Sequence, residues 1–158
     1  MSYKRIKKFN IFKSQYIVTE TMEFQTLVCL KEASIIRRPD GKILARLERS
    51  GKMTVFPEYQ WDGPSGPTID SHAFIMGSCP HDVLYQMLRE NLLINQYLYN
   101  GHLDEMYREF CRLRKWADDT MKVINKLHGM SSFRAWYTYE SVRLFGEKHA
   151  MPEILKND

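Results

Sequence analysis

The chain predicts an α+β domain: an N-terminal antiparallel sheet followed by three or four packed helices. Three observations carry that prediction. Residues 11–60 are rich in β-branched and aromatic residues broken by turn signals. From about residue 80 onward, apolar residues recur every three or four positions instead. Strands first and helices after is the α+β order, and 158 residues that are 44% hydrophobic and 27% charged suffice for one core.

The elements follow in order. Lys4, Arg5, Lys7 and Lys8 make residues 1–10 read as a basic, solvated tail. "SQYIVTE" and "EFQTLVCL" read as strands. "SIIRRPDGKILARLE" places apolar runs on either side of Pro39, Asp40 and Gly41, a hairpin signal. Ser50 and Gly51 turn the chain into one more strand, "KMTVFPEYQ". Residues 61–79 then read as a long loop, of the kind that often carries function. Pro80 suits the first turn of a helix, where its missing N–H costs nothing, and Leu84, Met87, Leu88 and Leu92 follow at helical spacing. After Asn100 and Gly101, a second helix carries Leu103, Met106, Tyr107, Phe110 and Leu113. After Gly129 and Ser131, a third carries Phe133, Trp136, Tyr137 and Leu144 on one stripe, with Gly146 as its C-cap. That stripe reads as core packing rather than as a platform for stacking bases. Residues 147–158 read as a tail.

Composition excludes several classes. Twenty-three basic residues against nineteen acidic ones leave a net charge of +4, too weak a field for a dedicated nucleic-acid binder. On the helix with Arg108, Arg112, Arg114 and Lys115, Glu105 and Glu109 interrupt the positive charge. Cys29, Cys79 and Cys111 are odd in number and widely spaced, so they suggest neither a disulfide framework nor a zinc knuckle. The charged start is not a secretory signal, and no run approaches a membrane span. Free thiols and these absences lead to the expectation of a cytoplasmic protein, in a host cytoplasm or a virion if phage-encoded.

The chemistry concentrates in two places. The turn Asp62, Gly63, Pro64, Ser65, Gly66 and Pro67 combines glycine freedom with proline stiffness. It is not a phosphate loop, because its prolines remove backbone donors and no Lys-Ser/Thr ending follows. Nor is it a nucleophile elbow, since Pro67 replaces the final glycine. Asp62 and Ser65 therefore either bond to local backbone or face a site, and Trp61 either lines a pocket or plugs the sheet end. His81 and Asp82 are donors of the kind that bind Zn²⁺, Mn²⁺, Mg²⁺ or Fe²⁺, expected at a helix start, where an Asp also suits the helix dipole without any metal. Asp104 opens the next helix, with His102 just before it and Arg108 four residues on.

These parts in this order resemble a family of small phage and prophage proteins, domain-of-unknown-function family 1353. Its pattern is an Asp-Gly-x-Ser-x-Pro turn, a His-Asp-x-x-Tyr segment, and a helix bearing an Asp. Here the turn starts at Asp62, the second segment runs from His81 to Tyr85, and Asp104 in "LDEMYREF" takes the helix acid. "AWYTYESVRLFG" is similar to the family's closing helix. Trp61 stands where the family usually has Thr. The resemblance covers roughly residues 45–146 and implies a viral origin and a site position, without a reaction.

Buried carboxylates repel, and a cation is the usual remedy. The expectation is therefore metal-assisted hydrolysis. Asp62, His81 and Asp104 would hold a divalent ion, Asp82 would orient the water or the histidine, and Ser65 would bind substrate. The rival expectation is a non-enzymatic binding protein, a virion component or an inhibitor of a host defence protein. In it the same polar groups close a structural hydrogen-bond network. Nucleic-acid binding is a third, disfavoured expectation, which predicts steep salt dependence.

Overall fold

The structure, a computed structural model, describes residues 2–10, 13–63, 71–94 and 103–156. The α+β order holds, strands first and helices after. The strands form two sheets rather than one. The four-stranded sheet has the order β3-β6-β5-β4, from β3 (Met22–Gln25), β4 (Ser34–Arg37), β5 (Ile43–Leu47) and β6 (Lys52–Val55). Period-two alternation builds it: Met22 and Phe24 are buried while Glu23 and Gln25 face out. The β4–β5 hairpin turns where Pro39, Asp40 and Gly41 signal it. Arg38 N–H donates to the Lys42 carbonyl at 2.9 Å, and Gly41 takes φ 87°. Gly51 turns β5 into β6 at φ 84°, and a Cβ there would stand 2.8 Å from the Val28 carbonyl oxygen.

The second sheet corrects the expected tail. Residues Tyr3–Asn10 are strand β1, paired antiparallel with β2 (Lys13–Val18), which pairs in turn with β7 (Gln60–Trp61). The basic run lies in a strand because Tyr3 belongs to the core. Its ring meets Tyr16 edge-on at 5.9 Å and Trp61 at 6.1 Å. Trp61 is buried, and its indole N–H donates to Ser78 Oγ at 3.1 Å, so it plugs the sheet end against a helix.

That helix, α1 (His72–Arg89), begins earlier than expected, so 61–79 is not one long loop. Ser71 caps it, accepting from Phe74 N–H at 3.4 Å. Pro80 therefore stands inside the helix, and His81 and Asp82 sit mid-helix rather than at its start. An interior proline costs about 3 kcal/mol in isolation. Burial of Phe74, Ile75, Cys79, Val83 and Leu84 outweighs it, at roughly 1.5–3 kcal/mol per large apolar side chain. Asn91, at φ 59°, ends the helix as Leu92 N–H returns to the Met87 carbonyl.

Helix α2 (Leu103–Leu127) packs along α1. Its expected stripe is buried at Phe110 and Leu113 but exposed at Leu103 and Tyr107. Gly77 leaves room for α2: a Cβ there would lie 2.0 Å from Asn125 Oδ1. Helix α3 (Ser132–Phe145) follows, capped by Ser131 and ended by Gly146. It overturns the expectation for its aromatics. Ala135 and Thr138 face the core, whereas Phe133, Trp136, Tyr137 and Leu144 are exposed. The small residues are the ones that let α3 lie close against its neighbours, and the large ones are left on the opposite face. The expected C-terminal tail is α4 (Glu147–Ala150) and a 3₁₀ turn at Glu153–Leu155. The break at Asn100 and Gly101 lies outside the described residues. Among the described residues, no helix is long and apolar enough to cross a membrane.

Candidate functional site

His81 and Tyr85 are four apart on α1, so both point to α2. On α2, Arg114 and Asp118 share the same spacing and the buried face. The two pairs interlock. His81 Nε2 and Asp118 Oδ1 are 2.9 Å apart, and the Tyr85 hydroxyl donates to the same oxygen at 2.7 Å. Arg143 of α3 donates to Asp118 Oδ2 at 2.9 Å. Asp118 thus receives three donors while fully buried. Arg114 extends the cluster to the C-terminal elements. It donates to Glu147 Oε2 at 2.9 Å and to the carbonyls of Val142 and Arg143 at 3.0 and 2.6 Å, with a longer contact of 3.4 Å to Tyr85 Oη. Gly146 makes room for this: a Cβ there would meet Tyr85 Oη at 2.6 Å.

The second ring nitrogen of His81 faces Asp82, with Nδ1 3.6 Å from Oδ1. Burial alone works against an imidazolium here. Asp118 and Asp82 outweigh it and hold the His81 pKa up at about 9. Burial opposes ionisation of Asp118 too, yet His81, Arg143 and Tyr85 hold its carboxyl below the usual range. Burial likewise pushes the Tyr85 phenol well up, with Asp118 adding to it. The cluster is therefore a charged, buried knot joining α1, α2, α3 and α4.

The five residues singled out in the sequence meet different fates. His81 and Asp82 lie side by side as neighbours on α1. Asp82 keeps 31% of its side chain exposed, and its carboxyl is raised by burial, with the charge of Asp62 adding to the effect. Asp62 itself is exposed just after β7 and lies close enough to act on Asp82. Ser65, with Pro64, Gly66 and Pro67, lies outside the described residues, as does His102. Asp104 is exposed in the first turn of α2. It stands about 21 Å along that helix from Asp118, at 1.5 Å per residue, so it does not join the cluster. Among the described residues, no three His, Cys, Asp or Glu side chains are grouped to hold a metal ion.

Sequence reasoning missed Asp118, Arg114, Arg143 and Glu147. One signal was available. Leu113, Ala117, Met121 and Ile124 continue the apolar face of α2, and Arg114 and Asp118 fall within it. Charged residues are seldom buried unless they are paired, so two charges on such a face announce a partner.

Compared with known proteins, the chain matches no protein-family model, no curated protein and no solved structure.

Proposed function

We propose that this is a phage-type protein that acts by binding rather than by catalysis, with the His81 cluster as its internal lock. One observation carries the reading: the polar groups already satisfy one another. Asp118 takes donors on both carboxylate oxygens, both His81 nitrogens face carboxylates, and Arg114 is spent on Glu147 and two helix-end carbonyls. A cluster of this kind rigidifies a fold. The order of Asp62, His81, Asp82 and Tyr85 supports the phage-type part, and the helix acid that meets His81 and Tyr85 is Asp118 rather than Asp104. The partner is a macromolecular surface, in a virion or on a host protein.

Thermal unfolding tests the lock. Asp118→Ala should lower the melting temperature by on the order of 10 °C. Removing one partner of a buried ion pair costs about 3–5 kcal/mol, at roughly 2–4 °C per kcal/mol for a chain of this size. Asp62→Ala and Asp104→Ala, both exposed, should change stability by no more than about 0.5 kcal/mol. An Asp118→Ala protein as stable as the parent would sink the reading.

Metal-assisted hydrolysis is the second reading, favoured by the electrostatic contact of Asp62 with Asp82 beside His81. The donors do not fit it as they stand. A His81 protonated at neutral pH and held by Asp118 offers no lone pair to a cation. An ion would have to draw on Asp62 and Asp82 and pull His81 away from Asp118. Elemental analysis of protein purified without chelator separates the two readings. Stoichiometric metal, or a melting temperature raised by Mn²⁺, Zn²⁺ or Mg²⁺, would favour the second.

A further inference from the structure

Helix α3 presents an unusual outer face. Ser132 aside, every well-exposed residue on it is aromatic or leucine: Phe133, Trp136, Tyr137, Leu144 and Phe145. Phe133 is 76% exposed, Leu144 72% and Trp136 49%. Phe133, Trp136, Tyr137, Glu140 and Leu144 are spaced as one continuous stripe along the helix. It lies opposite the face formed by Ala135, Thr138 and Val142. Glu140 sits in the middle of the stripe, and among the described residues its carboxylate has no hydrogen bond or ion pair. The Trp136 indole N–H and the Tyr137 hydroxyl on the same stripe also lack hydrogen-bond partners among the described residues.

We infer that this face pairs with the same face of a second copy, the two α3 helices antiparallel about a two-fold axis. This rests on the reading above, that the protein works by association, and names one partner.

Three features of the stripe favour a second copy. The first is that it is self-complementary when reversed. With the two-fold axis near the level of Thr138 and Tyr139, Phe133 of one copy faces Leu144 of the other. Trp136 and Tyr137 then lie level with Glu140 of the second copy. The second feature is charge. Once a partner covers the face and removes its water, the Glu140 carboxylate needs a donor from that partner, and the facing Tyr137 O–H and Trp136 N–H supply one on each side of the axis. A purely apolar partner would leave that carboxylate buried and unsatisfied. Arg134 and Arg143 lie on opposite flanks of the stripe, so antiparallel pairing keeps them apart. The third is size. Aromatic side chains bury roughly 150–250 Å² each, so covering this face in both copies removes on the order of 1,000 Å², near the lower bound for a specific interface. The dimer should therefore be weak, with a dissociation constant in the micromolar range. An isologous contact of this kind closes on itself and does not extend into a fibre.

Sedimentation velocity on the full chain, across a concentration range spanning about 1 to 200 µM, tests it. The expected result is a monomer–dimer equilibrium with its midpoint inside that range. Phe133→Asp with Leu144→Asp should leave only monomer, with circular dichroism and melting temperature unchanged, because both side chains are exposed. Glu140→Leu separates pairing from simple stickiness. If the carboxylate is held by the second copy's donors, this variant weakens the dimer at least fivefold although it makes the face more apolar. A stronger dimer for Glu140→Leu, a parent monomeric throughout the range, or a dimer that survives the double Asp variant would each overturn the inference. So would a monomeric parent that instead pelleted with phosphatidylglycerol vesicles, which would assign the face to a lipid surface. A monomeric parent whose Asp118→Ala variant still loses stability leaves the locked-cluster reading standing and removes only the second copy.

Discussion

Asp118 is the residue on which the described cluster turns. It has no exposed surface, yet it stays ionised because His81, Tyr85 and Arg143 together offset its desolvation. Its chemistry sets a pH dependence. His81 titrates near 9 in the folded protein against about 6.5 unfolded. The stability it contributes is complete below about pH 6.5 and is lost as pH rises through 9. Asp118 has the opposite sense: its folded pKa is depressed, so its contribution holds above the ordinary carboxylate range and falls away as acid protonates it. Asp82, raised by burial and by Asp62, opposes Asp118 on the acid limb. The melting temperature should therefore fall on raising the pH from about 6.5 to 9.5. His81→Phe should flatten that alkaline limb; an unchanged limb would mean that another group sets it. At this scale His81 and Asp82 were legible as a polar doublet, expected at a helix start, and Tyr85 only as the last residue of the His-Asp-x-x-Tyr pattern. Asp118 was not, because its partner lies 37 residues away and local spacing says nothing about which distant side chain meets it.

Among the elements, glycines decide how closely the helices approach. At Gly77 the α1 backbone touches the Asn125 side chain, whose amide oxygen and nitrogen are buried with no hydrogen-bond partner among the described residues. Gly77→Ala should destabilise by about 1–3 kcal/mol, the usual cost of overpacking. The size of that loss should depend on residue 125. In the Asn125→Ala background the same substitution should cost at least 1 kcal/mol less, because the atom it strikes is gone. Urea denaturation of the four proteins of this cycle measures the coupling, and additivity would show that the two side chains do not collide. The β4–β5 hairpin was readable because Pro39, Asp40 and Gly41 act through local backbone chemistry. The start of α1 was not. Pro80 is a first-turn residue by local preference, and only the burial of residues 73–79 against the rest of the fold carries the helix on its N-terminal side.

Over the whole molecule, two sheets and the helices share a core that runs from Tyr3 to Ala150, so the expected tails at either end are part of the fold. The cluster of His81, Asp118, Arg143, Arg114 and Glu147 ties four helices together. The apolar face of α3 remains outside that core. The sequence by itself determined the order of strands and helices and the hairpin turns. These depend on backbone preference and side-chain period, which act within a few residues. The tertiary structure alone decided that Asp118 rather than Asp104 meets His81, that Pro80 lies inside a helix, and that the aromatics of α3 face outward. A periodic pattern states that a helix has an apolar face. It does not state what covers that face, because burial is settled by contacts between segments far apart in the chain.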